Sequence, residues 1–80
     1  MLVPVVDMKL TGQKIQELRT RRGISVRELQ SILGFATPQA IYKWQRGETL
    51  PTVENLAALA YILGVEMEDI LAAKFRTDDE

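Results

Sequence analysis

Residues 23–47, GISVRELQSILGFATPQAIYKWQRG, hold two short helical patterns separated by a single glycine. Ser25-Val26-Arg27-Glu28 reads as a capping box: the serine oxygen accepts from the N3 amide while the glutamate reaches back to the serine amide. A helix therefore starts at Ser25 and runs to about Leu33, burying Val26 or Leu29 together with Ile32 or Leu33. Gly34 supplies the positive φ that ends it. After a turn at Phe35-Ala36, Thr37-Pro38 predicts an N-cap followed by proline at the first helical position. This next helix covers Pro38–Gln45, with Ile41 and Trp44 three apart on its inner face.

Outward from this pair, the same signals place three more helices. Thr11 is the expected cap of a helix reaching about Arg22, with Ile15 and Leu18 inward and Arg19, Arg21 and Arg22 at its negative end. Pro51-Thr52 predicts a helix over Val53–Leu63, with Val53, Leu56, Ala57, Ala60 and Leu63 at the 3.6-residue period. A shorter helix is expected over Glu66–Ala72, burying Met67, Ile70 and Leu71. The reading is an all-α domain of five helices at 11–73, preceded by an extended arm or edge strand at 1–10 and followed by a frayed polar tail at 74–80.

Composition narrows the chemistry. The 80 residues include no cysteine and no histidine, which removes disulfides, thiol and imidazole catalysis and zinc sites. Ser25, Thr11, Thr37 and Thr52 sit at helix starts, and no base accompanies them. Glu66, Glu68 and Asp69 lie too close together on one short helix to form a metal cage. No enzyme activity, metal, cofactor or small-molecule ligand is expected. No apolar run reaches the roughly 20 residues of a membrane span, and MLVPVVDMK lacks the basic start and long apolar core of a signal peptide. The expected compartment is the cytoplasm.

Net charge is only −1, but its distribution is uneven. Residues 1–46 carry eight cations against three acids, net +5; residues 47–80 carry two cations against eight acids, net −6. The basic half contains the two-helix pair, and two helices held across a tight turn are a means of laying a helix in the major groove of DNA.

The order of signals in Ile24-Ser25, Glu28-Leu29, Leu33-Gly34, Ile41, Lys43-Trp44, Gly47, Leu50-Pro51, Leu56, Leu59-Ala60, Leu63-Gly64-Val65 and Ile70-Leu71 resembles the helix-turn-helix domain of the Cro and phage-repressor type, also called the xenobiotic-response-element family. The resemblance implies sequence-specific binding to double-stranded DNA by a transcriptional regulator, a repressor by expectation, acting as a homodimer. The chain departs from the family pattern in three places. Between Gly34 and Ile41 it carries one residue more than is usual, in the turn near Phe35-Ala36. Val26 stands where the family often has a phosphate-binding glutamine. Arg19 faces Gln45 where many phage repressors have an arginine–glutamate pair, so a neutral acceptor is expected there.

On the second helix of the pair, Gln39, Ala40, Tyr42 and Lys43 lie away from the inner face. Gln39 sits in the first turn, and its amide matches the N6/N7 edge of adenine. Ala40 permits close approach to a thymine methyl. Tyr42 suits a thymine methyl or a phosphate, or a partner subunit. Lys43, Arg27 and Arg46 are the candidate phosphate contacts, against the plainer reading of solvated surface charge. Ser25 and Thr37, each at a helix start, combine capping with a phosphate contact. The competing reading is a protein-interaction module on the same fold, antitoxin-like or regulatory. The apolar arm Leu2–Val6 bears on both readings, as core or as an edge that recruits a second copy.

Overall fold

Asp7, and not Thr11, starts the first helix. In the computed structural model, which describes residues 1–78, the Asp7 carboxylate accepts from the Leu10 amide at 2.9 Å and α1 runs over Met8–Arg21. Thr11 is thereby carried one turn inside the helix and buried. Its hydroxyl oxygen accepts from the Ala72 amide at 2.9 Å, holding the far end of the chain instead of its own helix.

The capping box forms as the sequence requires. Ser25 Oγ accepts from the Glu28 amide at 3.0 Å, Glu28 returns the bond to the Ser25 amide at 2.8 Å, and α2 spans Val26–Leu33. Gly34 closes it at φ 74°, and the Phe35 amide donates back to the Gln30 carbonyl at 3.0 Å. Helix α3, Gln39–Gln45, starts one residue later than the sequence predicts. Pro38 takes the cap position at φ −85° and ψ 5°, and Thr37 Oγ1 reaches only to the Gln39 amide at 3.4 Å. Thr37 is a weak local acceptor there rather than the helix's N-cap.

Helix α4, Val53–Leu63, is capped by Thr52, whose hydroxyl accepts from the Asn55 amide at 3.1 Å. Helix α5 is shorter than expected, Met67–Ile70, because Leu71 turns to an extended conformation and leads into strand β2, Ala73–Thr77. That strand pairs antiparallel with β1, Leu2–Val6, in the register Leu2↔Thr77, Pro4↔Phe75 and Val6↔Ala73. The expected frayed tail is thus a strand over 73–77, and the edge of the expected arm is occupied by it. Residues 79 and 80 of that tail lie outside the described residues.

Ile15, Leu18, Leu29, Ile41, Trp44, Leu56, Leu59, Ala60, Leu63 and Ile70 form one core drawn from all five helices. Each large side chain buried there contributes roughly 1.5–3 kcal/mol against the entropy of ordering the chain. On α4 the inward stripe is Leu56, Leu59, Ala60 and Leu63; Val53 and Ala57, expected inside, are exposed. Val53 lies in the first turn, past the edge of the core, and Ala57 lies on the outer side of the stripe. Met67 is likewise exposed, Ile32 is exposed on α2, and Leu71 is half-buried. Helix α1 crosses α3 at Gly12, where a Cβ would stand 2.1 Å from the Trp44 carbonyl oxygen. Only glycine permits that approach, and the crossing fixes the attitude of α3 on the body. No helix among the described residues is long and apolar enough to cross a membrane.

Candidate nucleic-acid interface

Helix α3 is anchored by what it buries. Ile41 is fully enclosed and Trp44 nearly so, which turns Gln39, Tyr42 and Lys43 outward to solvent. Ala40 departs from the outward set: it is half-buried and packs against the core, so only part of its surface is open.

The additional turn residue is absorbed by an aromatic contact. The ring of Phe35 meets Trp44 edge to face, with centroids 5.8 Å apart and planes at 70°. Gln30 Nε2 donates to the Phe35 carbonyl at 3.2 Å. These two contacts pin the longer turn to both helices it connects. The sequence reading had no signal for this, because Phe35 stands in a turn and not at a periodic position.

Between α2 and α3 lies an open depression of about 560 Å³, walled by Val26, Arg27, Gln30, Ser31, Phe35, Pro38 and Tyr42. It brings Arg27 and Tyr42 to one concavity. Gln30 and Ser31 join them, and sequence reasoning had not singled those two out. Their spacing from Arg27, three and four residues on, places them on the same face of α2 and is the signal that identifies them.

The cations of the basic half divide into committed and free. Arg19 Nε donates to Gln45 Oε1 at 3.0 Å, the neutral contact expected there, and Arg19 Nη1 donates to the Ile24 carbonyl at 2.9 Å. Arg21 pairs with Glu17 at 3.2 Å, one turn earlier on α1. The Arg22 guanidinium lies over Gly64, beyond the end of α4. Arg46 pairs with Glu48, and the bond raises the arginine above its ordinary value while holding the glutamate below the usual carboxylate range. Nearby Lys43 adds a smaller pull in the same direction on Glu48. Arg27 and Lys43 make no ion pair among the described residues.

Ser25 is exposed at the start of α2, its oxygen accepting from the Glu28 amide. Glu28, bonded first to the Ser25 amide and then to its side chain, stays ionised below the ordinary glutamate range. Helices α2 and α3 and the turns beside them therefore carry two cations without an ion pair, a third shared with a carboxylate, an exposed amide on the first turn of α3, and hydroxyls at Ser25 and Thr37. That arrangement suits a polyanion with hydrogen-bonding edges.

Residues 15–70 match the model of the helix-turn-helix family. Among solved structures, the chain is similar to the restriction-modification controller protein C.AhdI from Aeromonas hydrophila. Identity to it is 28%, covering 80% of this chain and 96% of that one, with a TM-score of 0.71. It is similar to the S. venezulae BldD DNA-binding domain at 27% identity, over 82% and 97% of the two chains and TM-score 0.69. The clp gene regulator ClgR from Corynebacterium glutamicum shares the fold at 23% identity, over 82% and 69% and TM-score 0.72. No curated protein sequence matches it.

Proposed function

The chain belongs to the helix-turn-helix family of the Cro and phage-repressor type, and from that premise we propose that it is a sequence-specific regulator of transcription, a repressor. It lays α3 in the major groove of double-stranded DNA. The observation that carries this reading is the division of α3 itself. Ile41 and Trp44 lock the helix to the core, while Gln39, Tyr42 and Lys43 face outward at its free side. Gln39, at the first residue of α3, reads a base edge; Tyr42 and the open part of Ala40 lie along the same groove. Ser25, Arg27, Thr37, Lys43 and Arg46 hold the phosphates on either side.

The likeness to a restriction-modification controller protein and to a DNA-binding domain supports the same reading. The role is binding and not catalysis, exercised in the cytoplasm. Two copies occupy half-sites about one helical turn, roughly 34–36 Å, apart, so the bound sequence is a near-palindrome.

Titration of fluorescent random and selected duplexes at increasing salt tests the proposal. Arg27 and Lys43, unpaired, and Arg46, shared with Glu48, predict a fall in log affinity with log salt of slope about −1.8 to −2.7 per copy. Selection from random duplexes should return two half-sites at that spacing. Absence of salt-sensitive affinity for every duplex overturns the proposal and leaves the face as a protein-binding surface.

A further inference from the structure

The ribbon of β1 and β2 has two unlike faces. Opposed residues share a side, so Leu2, Pro4, Val6, Ala73, Phe75 and Thr77 line one face, and Val3, Val5, Lys74 and Arg76 the other. All six residues of the first face are exposed, Leu2 at 66% and Phe75 at 63%. That face carries no charge, in a chain where 26% of residues are charged. A two-stranded ribbon is marginal by itself in water, and among the described residues none covers this face. The molecule measures 45 × 22 × 19 Å, elongated for its length, with a radius of gyration of 13.4 Å against roughly 12 Å for a compact chain of this size.

We propose that this face is the contact through which two copies of the chain associate, stacked face to face about a two-fold axis. The inference rests on the pairing of copies in the function proposed above and names the surface that makes it. Edge pairing is disfavoured on both sides of the ribbon. The bonds Asp7 N–H to the Ala72 carbonyl and Asp78 N–H to the Met1 carbonyl set the phase of the ladder, and Pro4 falls in a non-hydrogen-bonded pair. The donor that Pro4 lacks is therefore missing from the outer edge of β1. On the outer edge of β2, antiparallel pairing centred on Phe75 sets Lys74 against Arg76 of the other copy, twice, with like charges opposed.

Stacking the faces avoids both problems. The surface is apolar apart from the Thr77 hydroxyl, so an isologous contact leaves no charge unpaired. Acidic Asp7 and Asp78 at the two ends of the ribbon oppose an anionic lipid surface in its place. The exposed patch is on the order of a few hundred Å², the size of a monomer's largest patch, which is often functional. Doubled, it falls at the weak end of specific interfaces, below roughly 1,200 Å² in total. The dimer is accordingly weak when free and tightened on DNA, where two half-sites hold the copies together.

Sedimentation of the full chain without DNA, across the micromolar range, is the test. The wild type is expected to show reversible monomer–dimer exchange. Phe75→Glu and Leu2→Glu, both at exposed positions, should each weaken association at least about tenfold with the helical circular dichroism unchanged. Tyr61→Glu, on the exposed outer side of α4, should leave association as it was. A wild type that stays monomeric overturns the inference. So does a dimer that survives Phe75→Glu and dissociates with Tyr61→Glu, which would move the interface to α4. The Phe75→Glu monomer should keep the salt slope on a single half-site, whereas loss of all duplex affinity with the dimer intact would remove the function and not the interface.

Discussion

Arg19 ties α1 to the last residue of α3: its Nε–H donates to Gln45 Oε1 at 3.0 Å while its Nη1 holds the Ile24 carbonyl at 2.9 Å. One half-buried side chain thus fixes the end of α3 and the entry to α2 together. Arg19→Ala removes both bonds and leaves the Ile24 carbonyl without its partner, at an expected cost of about 1–3 kcal/mol. Gln45→Glu should act in the opposite direction by about 1 kcal/mol, because a charge-assisted bond is roughly twice as strong as a neutral one. That gain must vanish in acid, where the new carboxylate protonates. Denaturant unfolding of both variants at neutral and low pH checks the pair, and equal stability of wild type and Gln45→Glu at neutral pH would contradict it.

Gly12 is the point at which α1 and α3 touch backbone to backbone. A methyl group there would stand 2.1 Å from the Trp44 carbonyl oxygen and 2.7 Å from that of Gln45, and neither is a flexible side chain. Gly12→Ala should therefore force the helices apart and destabilise by about 3 kcal/mol or more, despite the better helix propensity of alanine. A thermal melt within a few degrees of wild type would show that the crossing is looser than this.

Local signals carried most of the helical architecture. The Ser25–Glu28 box, Gly34 and the Thr52 cap are each decided within four residues, and each forms as read. The arm was readable as an edge strand and β1 is one, but its partner β2 was not legible, because the two strands are joined across the length of the chain. Neither Lys74 nor Arg76 marks a strand without β1 in view. The same non-local pairing shortened α5 and took Thr11 from capping to holding Ala72. At the site, residue types on α3 followed from the spacing of Ile41 and Trp44. Which cations are free did not: the Arg46–Glu48 pair and the seat of Phe35 on Trp44 depend on turns whose course no periodicity encodes.

The bond from the Ala72 amide to Thr11 Oγ1 joins the ribbon to α1 from inside the fold. Thr11→Val keeps the shape, deletes the acceptor and leaves the amide unpaired, for about 1–3 kcal/mol. Thr11→Ser restores the oxygen and should recover most of the loss. Amide exchange provides the sharper reading: Ala72 and the ladder of β2 should lose protection in Thr11→Val ahead of the helices, and uniform loss throughout the domain would argue against a local tether.

If Arg46 holds a phosphate as proposed, Glu48 competes for that arginine. The Glu48 carboxyl is held below the ordinary range by the guanidinium, so the pair adds stability above the ordinary carboxylate value and loses it as pH falls through the lowered one. Releasing the arginine should favour DNA. Glu48→Gln is expected to raise duplex affinity several-fold and to steepen the salt slope by up to about 0.9, one further phosphate contact. Wild type should move toward the variant on acidification, while the variant itself stays flat over the same interval. An affinity that Glu48→Gln leaves unchanged would mean that Arg46 does not reach the backbone.

Gln39 and Lys43 differ in what their loss should do, and the difference separates reading from holding. Gln39 stands at the first residue of α3 and faces solvent, and is the residue proposed to read one base edge. Gln39→Ala should relax preference at a single position of each half-site by about 1–3 kcal/mol and leave the salt slope unaltered. Lys43, later on the same helix and free of any ion pair among the described residues, is the proposed sequence-independent contact. Lys43→Ala should weaken binding alike on every duplex and reduce the slope by about 0.9 per copy. Binding of both variants to a set of single-base operator mutants, at two salt concentrations, measures the two effects together. If Lys43→Ala instead changes preference at one position, this lysine reads a base; if Gln39→Ala changes none, recognition lies with Tyr42 and the depression beside it.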